Sequence, residues 1–223
     1  PIPTKNMLQM LREGGPLLVA IGVCSFLLMV FVFERAVSLR YGRVIPRPFV
    51  RRFLEQLREG KLNADEAVER CEQNRSPVAE VFGAASRKWG RSSVEVEQAI
   101  IDTGERVSND LRRNLRFFNG ISTISPLLGL LGTVVGMISA FNAIATSDAM
   151  GRPELLAAGI SQALLTTAAG LTVAIPALIA YLFFVSRVDR LIMEIDALGQ
   201  EVVNQIAADA WKPTGKNRKG KAA

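Results

Sequence analysis

The stretch GISQALLTTAAGLTVAIPALIAY, Gly159–Tyr181, carries no charge and is apolar enough to lie in hydrocarbon, yet it holds Gln162, Thr166, Thr167, Thr172, two glycines and a proline. It belongs to a longer charge-free run, Leu155–Ser186, and two more such runs occur at Pro16–Phe33 and Phe117–Ser147. A bilayer core of about 30 Å needs about 20 apolar residues in a helix. The first run is just long enough and the other two exceed the requirement. The chain of 223 residues is 49% hydrophobic and 22% charged, with a mean hydropathy of +0.22, an average that conceals this segregation. The pattern predicts an all-α membrane protein with three transmembrane helices at 16–33, 117–147 and 155–186.

A signal peptide is the rival reading of the first run. Its 18 uncharged residues exceed an h-region of about 7–15, and Glu34 and Arg35 follow where a small-residue cleavage site would stand. Orientation comes from the basic residues. Arg35, Arg40, Arg43, Arg47, Arg51 and Arg52 follow the first run, Arg106, Arg112, Arg113 and Arg116 precede the second, and Arg187 and Arg190 follow the third. This places segment 1–15 and the loop 148–154 outside, and 34–116 with the C-terminal region in the cytoplasm. The net charge of +6 is thereby assigned to membrane ends rather than to nucleic-acid binding. The basic tail 211–223 reads as disordered and able to touch anionic lipid.

Enzymatic chemistry has no visible seat. Histidine is absent, and no phosphate loop, nucleophile elbow or metal-ligand spacing occurs. Cys24 falls inside the first span and Cys71 in the reducing cytoplasm, so both read as packing residues.

Region 34–116 reads as helical. Phe49, Phe53 and Leu57 form an i, i+4, i+8 stripe, and Asn63 with Glu66 and Ser92 with Glu95 are start signals. From Ser92 to the second span only Gly104 interrupts the pattern, which predicts one unbroken helix. Val188, Leu191, Ile195, Leu198, Val202, Val203 and Ile206 likewise continue the third helix through 187–210. Runs of 31 and 32 uncharged residues span about 45 Å, more than the bilayer needs, so long cytoplasmic helical extensions are expected.

In the second span most of Ser122, Ser125, Gly129, Gly132, Thr133, Gly136 and Ala140 are three or four apart, and Gly132 with Gly136 forms a GxxxG pair. Small faces let membrane helices approach closely. Thr133 can return its hydroxyl to a carbonyl one turn back, and Pro126 removes a backbone bond. In the third span Gln162 and Thr166 are i, i+4, beside a strip of Ala163, Thr167, Gly170 and Ala174. A glutamine in hydrocarbon seeks a protein neighbour or a wet cavity. Spacing alone leaves packing and a polar passage both open. No acidic or basic residue lies in the three runs, so an ion path through them requires a carboxylate from another protein.

SPLLGLLGTVVGM (125–137) and GISQALLTTAAGLTVAIPALIAY (159–181) resemble the paired signature helices of the MotA/TolQ/ExbB proton-channel family. The three-span layout is similar to ExbB and TolQ rather than to the four-span MotA. The resemblance implies an inner-membrane ring of five subunits around single-span partners of the ExbD/TolR type, which contribute the membrane Asp. It implies work done on a periplasmic protein of the TonB or TolA type, driven by H⁺ (Na⁺ being the alternative ion) and with no cofactor. By motif, Thr133 and Thr167, with Thr166 and Gln162, are the ion-pathway or partner-facing residues. Pro126, Gly129, Gly132, Gly136, Gly170 and Pro176 match packing and kink positions. Gln162 departs from the family's usual Glu in the GISEAL-type stretch, which puts subunit-side protonation in doubt. The alternatives are a self-sufficient ion channel and a structural membrane scaffold.

Overall fold

The structure is a computed structural model; it describes residues 15–146 and 153–208. Of the expected outer segment 1–15 only Gly15 is described, and it begins a helix; most of the 148–154 loop and the tail 211–223 lie outside the described residues, whereas Pro153 and Glu154 already belong to a helix. The elements are α1 (Gly15–Ser38), α2 (Tyr41–Val44), α3 (Arg47–Arg58), α4 (Ala64–Asn74), α5 (Pro77–Ser86), α6 (Ser93–Arg112), α7 (Leu115–Thr146) and α8 (Pro153–Ile206). Among the described residues three helical stretches are long and apolar enough to cross a membrane: α1, the run Ser93–Asn142 through α6 and most of α7, and Leu156–Ile206 of α8. The chain divides into two units. One holds α1 to Val37, α7, and α8 to Val185; the other holds Ser38–Arg113 with the rest of α8.

The first unit packs by aromatic contacts at one end and by small residues along its length. Phe31 of α1 stacks on Phe117 with ring centroids 4.6 Å apart, and Phe118 of α7, fully buried, meets Phe184 of α8 at 5.5 Å. The outward faces of its helices are rows of large apolar side chains, such as Phe26, Leu127, Leu130, Val134, Leu178 and Phe183, suited to lipid rather than to water. Glu34 Oε2 accepts from both Arg35 Nε and Asn114 Nδ2, at 2.9 and 3.3 Å, so polar groups at this end satisfy one another.

The second unit is a small helical domain. Phe49, Phe53 and Phe82 form a ring cluster, with Phe53 and Phe82 5.1 Å apart, and the predicted Phe49–Phe53–Leu57 stripe faces this core. α8 supplies Val188, Leu191, Ile195, Val202, Val203 and Ile206 to the same core. Its end is closed by neighbouring backbone: Gly90 N–H donates to the Ile206 carbonyl and Ala208 N–H to the Arg91 carbonyl, at 3.1 and 3.0 Å. These bonds satisfy groups that a helix terminus otherwise leaves orphaned. Cys71 is buried here, and burial pushes its thiol up to about 12.

Two local expectations are corrected. The helix expected to run unbroken from Ser92 into the second span is interrupted at Arg113–Asn114. Arg113 keeps right-handed helical angles (φ −49°, ψ −48°), so the interruption is one of hydrogen bonding, not of a proline or glycine turn. Asn63 does occupy the N-cap of α4, but its side chain makes no capping bond. Ser92, by contrast, caps α6, its hydroxyl accepting from Glu95 N–H at 3.4 Å.

Candidate functional site: the α7–α8 hairpin

α7 and α8 lie against each other with almost no side chain between them along one strip. Following α7 upward from Ser125, the α8 partners run downward, which makes the pair antiparallel. A Cβ placed on Gly170 would stand 2.6 Å from the Ser125 carbonyl oxygen, and one on Gly129 would stand 3.0 Å from the Thr167 Cα. A Cβ on Gly132 would come within 2.7 Å of the Thr166 Cβ, and one on Gly136 within 3.0 Å of the Ala163 Cβ. At the far end a Cβ on Gly159 would overlap that of Ala140. Cβ atoms rarely or never approach so closely, so each of these glycines stands where the facing helix leaves no room for a side chain: backbone faces Gly129 and Gly170, the Thr166 side chain Gly132, and alanine methyls Gly136 and Gly159. Ala163, Ala174 and Ala177 are buried along the same helix.

Five threonines of α7 and α8 have their hydroxyls placed by backbone, Thr123 by the Asn119 carbonyl at 2.9 Å. Thr133 Oγ1 donates to the Leu130 carbonyl at 2.6 Å, Thr166 to Ala163 at 2.7 Å and Thr172 to Ala168 at 2.7 Å, each within its own helix. Thr167 differs. Its Oγ1 crosses the interface to the Gly129 carbonyl at 2.9 Å, joining α8 to α7. That oxygen is reachable only because Gly129 has no side chain.

The residues grouped as partner-facing are therefore distributed. Thr166 is 2% exposed and fills the hollow over Gly132, so it belongs to helix packing; nothing outside the chain can reach its hydroxyl. Gln162 is half-buried, and its Nε2 is 3.8 Å from where a Cβ on Gly15 would stand, at the start of α1. Gly15 holds φ +69°, a left-handed angle that suits glycine. Thr133 is partly exposed and stands outside the strip of backbone contact. Pro126 and Pro176 both lie inside helices, partly exposed and exposed respectively.

Sequence reasoning missed the role of Gly159, which stands four residues before Ala163 and eleven before Gly170 and so continues their strip. It also gave Ser125 no role beyond small size. Ser125 is fully buried, and its hydroxyl has no hydrogen-bond partner among the described residues. A buried orphan hydroxyl costs about 1–3 kcal/mol, so this point of the hairpin is held by shape and not by polarity.

An all-helical, multi-pass membrane protein is what these features define, with its second and third spans locked as a glycine-mediated hairpin. The chain belongs to the MotA/TolQ/ExbB proton channel family, which matches residues 73–197. It is 31% identical over 201 residues to a putative biopolymer transport protein ExbB homolog of Methanothermobacter thermautotrophicus, covering 86% of this chain and 68% of that protein. It is 30% identical over 200 residues to putative biopolymer transport protein ExbB-like 3 of Synechocystis, covering 86% and 90%. The Tol-Pal system protein TolQ of Pseudomonas aeruginosa is 30% identical over 189 residues, or 78% of each chain. The protein is thus a membrane subunit of an energy-transduction system of the ExbB/TolQ type.

Proposed function

We propose that several copies of this chain form a ring in the inner membrane around a single-span partner of the ExbD/TolR type, and that proton flow along their contact drives work on a periplasmic TonB/TolA-like protein. The N-terminus faces the periplasm and the C-terminus the cytoplasm. The observation that carries the reading is the pairing of polar spans with an absence of charge: α7 and α8 hold threonines and Gln162, yet the runs 117–147 and 155–186 contain no acid or base. A proton relay at membrane depth needs an ionisable group, and in this arrangement the partner's carboxylate supplies it.

The hydrogen bonds define what the threonines can offer. A hydroxyl has one proton to donate and two lone pairs to accept with. Thr133 and Thr167 have each committed the proton to a carbonyl, so toward a partner they present acceptors. An acceptor stabilises a protonated carboxyl and repels a carboxylate. The hairpin would thus hold the partner's Asp in its neutral form, the form able to pass a low-dielectric contact.

A structural scaffold is the second reading, and the same bonds favour it to the extent that each hydroxyl is satisfied within the chain. Copurification from native membranes with native mass spectrometry separates the two. The proposal requires a ring bound to a short protein with one span and a membrane Asp; a homo-oligomer with nothing inside contradicts it.

A further inference from the structure

The basic cluster after α1 is not used by the hairpin. In the 14 residues after Ser38, where α1 ends, the chain has Arg40, Arg43, Arg47, Arg51 and Arg52 and no acid. Three of these, Arg47, Arg51 and Arg52, converge on a cavity of about 540 Å³ within the second unit. That volume falls in the range of sites that hold small molecules, about 300–1,000 Å³.

The lining is of two kinds. Ile45 and Val50, both buried, and Leu198 of α8 make an apolar wall. The lining also holds the three arginines and Tyr41, with the Arg47 guanidinium 4.9 Å from the Tyr41 ring centroid. Glu194 is the acid of the lining, and its carboxylate is engaged by the Tyr41 hydroxyl. Arg51 also reaches Glu55 at 3.4 Å, but both side chains are more than half exposed, a pair of little strength. Three guanidinium groups against one carboxylate leave the cavity with an excess of two positive charges. Arginine suits this arrangement because its planar donors match two oxygens of a phosphate at once.

Position selects the kind of phosphate. Tyr41 is eight residues beyond Phe33, where the charge-free run ends, and five of these are helical, so chain length alone keeps it within about 18 Å of the hydrocarbon edge. A cytoplasmic leaflet draws basic groups near it by about 1 kcal/mol each. We propose that this cavity binds the phosphate headgroup of an acidic phospholipid, with the arginines on the phosphate and the apolar wall against its carbon framework. The inference is independent of the proposed motor function.

The test uses the full chain in nanodiscs of phosphatidylcholine, alone or with a minority of phosphatidylglycerol, and reads lipid retained on the released protein by native mass spectrometry. The wild type retains phosphatidylglycerol in preference to phosphatidylcholine. The triple variant Arg47→Gln, Arg51→Gln, Arg52→Gln loses that retention about tenfold or more, while Lys88→Gln with Arg106→Gln, which removes basic groups outside the cavity, keeps it. Leu198→Glu, with every arginine in place, gives a second independent loss. Equal retention by the triple variant, equal loss in the Lys88/Arg106 control, or equal retention of phosphatidylcholine overturns the proposal. A separate arm adds inorganic phosphate to protein in phosphatidylcholine; thermal stabilisation equal to that given by the lipid would assign the site to a free anion and overturn the lipid assignment.

Discussion

Thr166 and Thr167 are neighbours in sequence with opposite fates. One is enclosed by Gly132 and bonds within its helix; the other ties α8 to the Gly129 carbonyl of α7. Replacing Thr167 by Val keeps the shape and removes the cross-helix bond, at a cost of about 1 kcal/mol in thermal unfolding of the detergent-solubilised protein. The same variant should abolish partner-dependent ion flux, whereas Thr167→Ser, which keeps the hydroxyl, should retain it. Normal flux in Thr167→Val would remove that hydroxyl from the conduction path. Cys71 offers a test in the second unit. Its pKa is raised by burial from 9.0 to about 12, so the folded state favours the neutral thiol. The resulting contribution to stability is constant below about pH 9 and is lost as pH climbs toward 12. At pH 8, peptide mapping after alkylation should find Cys71 unmodified in the folded protein and modified only after denaturation.

At the scale of the helices, the hairpin predicts a ranking of glycines. Gly170→Ala drives a methyl against the backbone of Ser125 and Gly132→Ala drives one against Thr166, so each should cost about 1–3 kcal/mol. Gly120 and Gly104 have open space where a Cβ would go, so alanine there should be neutral or stabilising by up to about 1 kcal/mol. Thermal unfolding of the four variants checks the order. The existence of this strip was legible in the sequence because small residues recur at three and four, and the three spans because charge is absent over whole runs. The rotation of each helix about its axis was not. Adjacent positions point about 100° apart, so whether Thr166 or Thr167 meets α7 depends on the exact setting of α8. The interruption at Arg113–Asn114 was illegible for another reason, having neither proline nor glycine to mark it. Phe49 and Phe53 announced a stripe, but their partner Phe82 lies on a separate helix that only folding brings near.

For the whole molecule, the chain belongs to the MotA/TolQ/ExbB family and has three helices able to cross a membrane among its described residues, and the remaining question is what it does with a partner. The proposed orientation has its own check. A single cysteine introduced at Lys88 should react with a membrane-impermeant maleimide only in inverted vesicles; reaction in intact spheroplasts would reverse the topology. The central claim is that this chain conducts protons only together with a membrane carboxylate that it does not itself possess. Proton flux into liposomes holding the chain alone, the chain with its single-span partner, and the chain with that partner's membrane Asp replaced by Asn tests it most directly. The account predicts flux in the second preparation and none in the first or third; flux from the chain alone would contradict it.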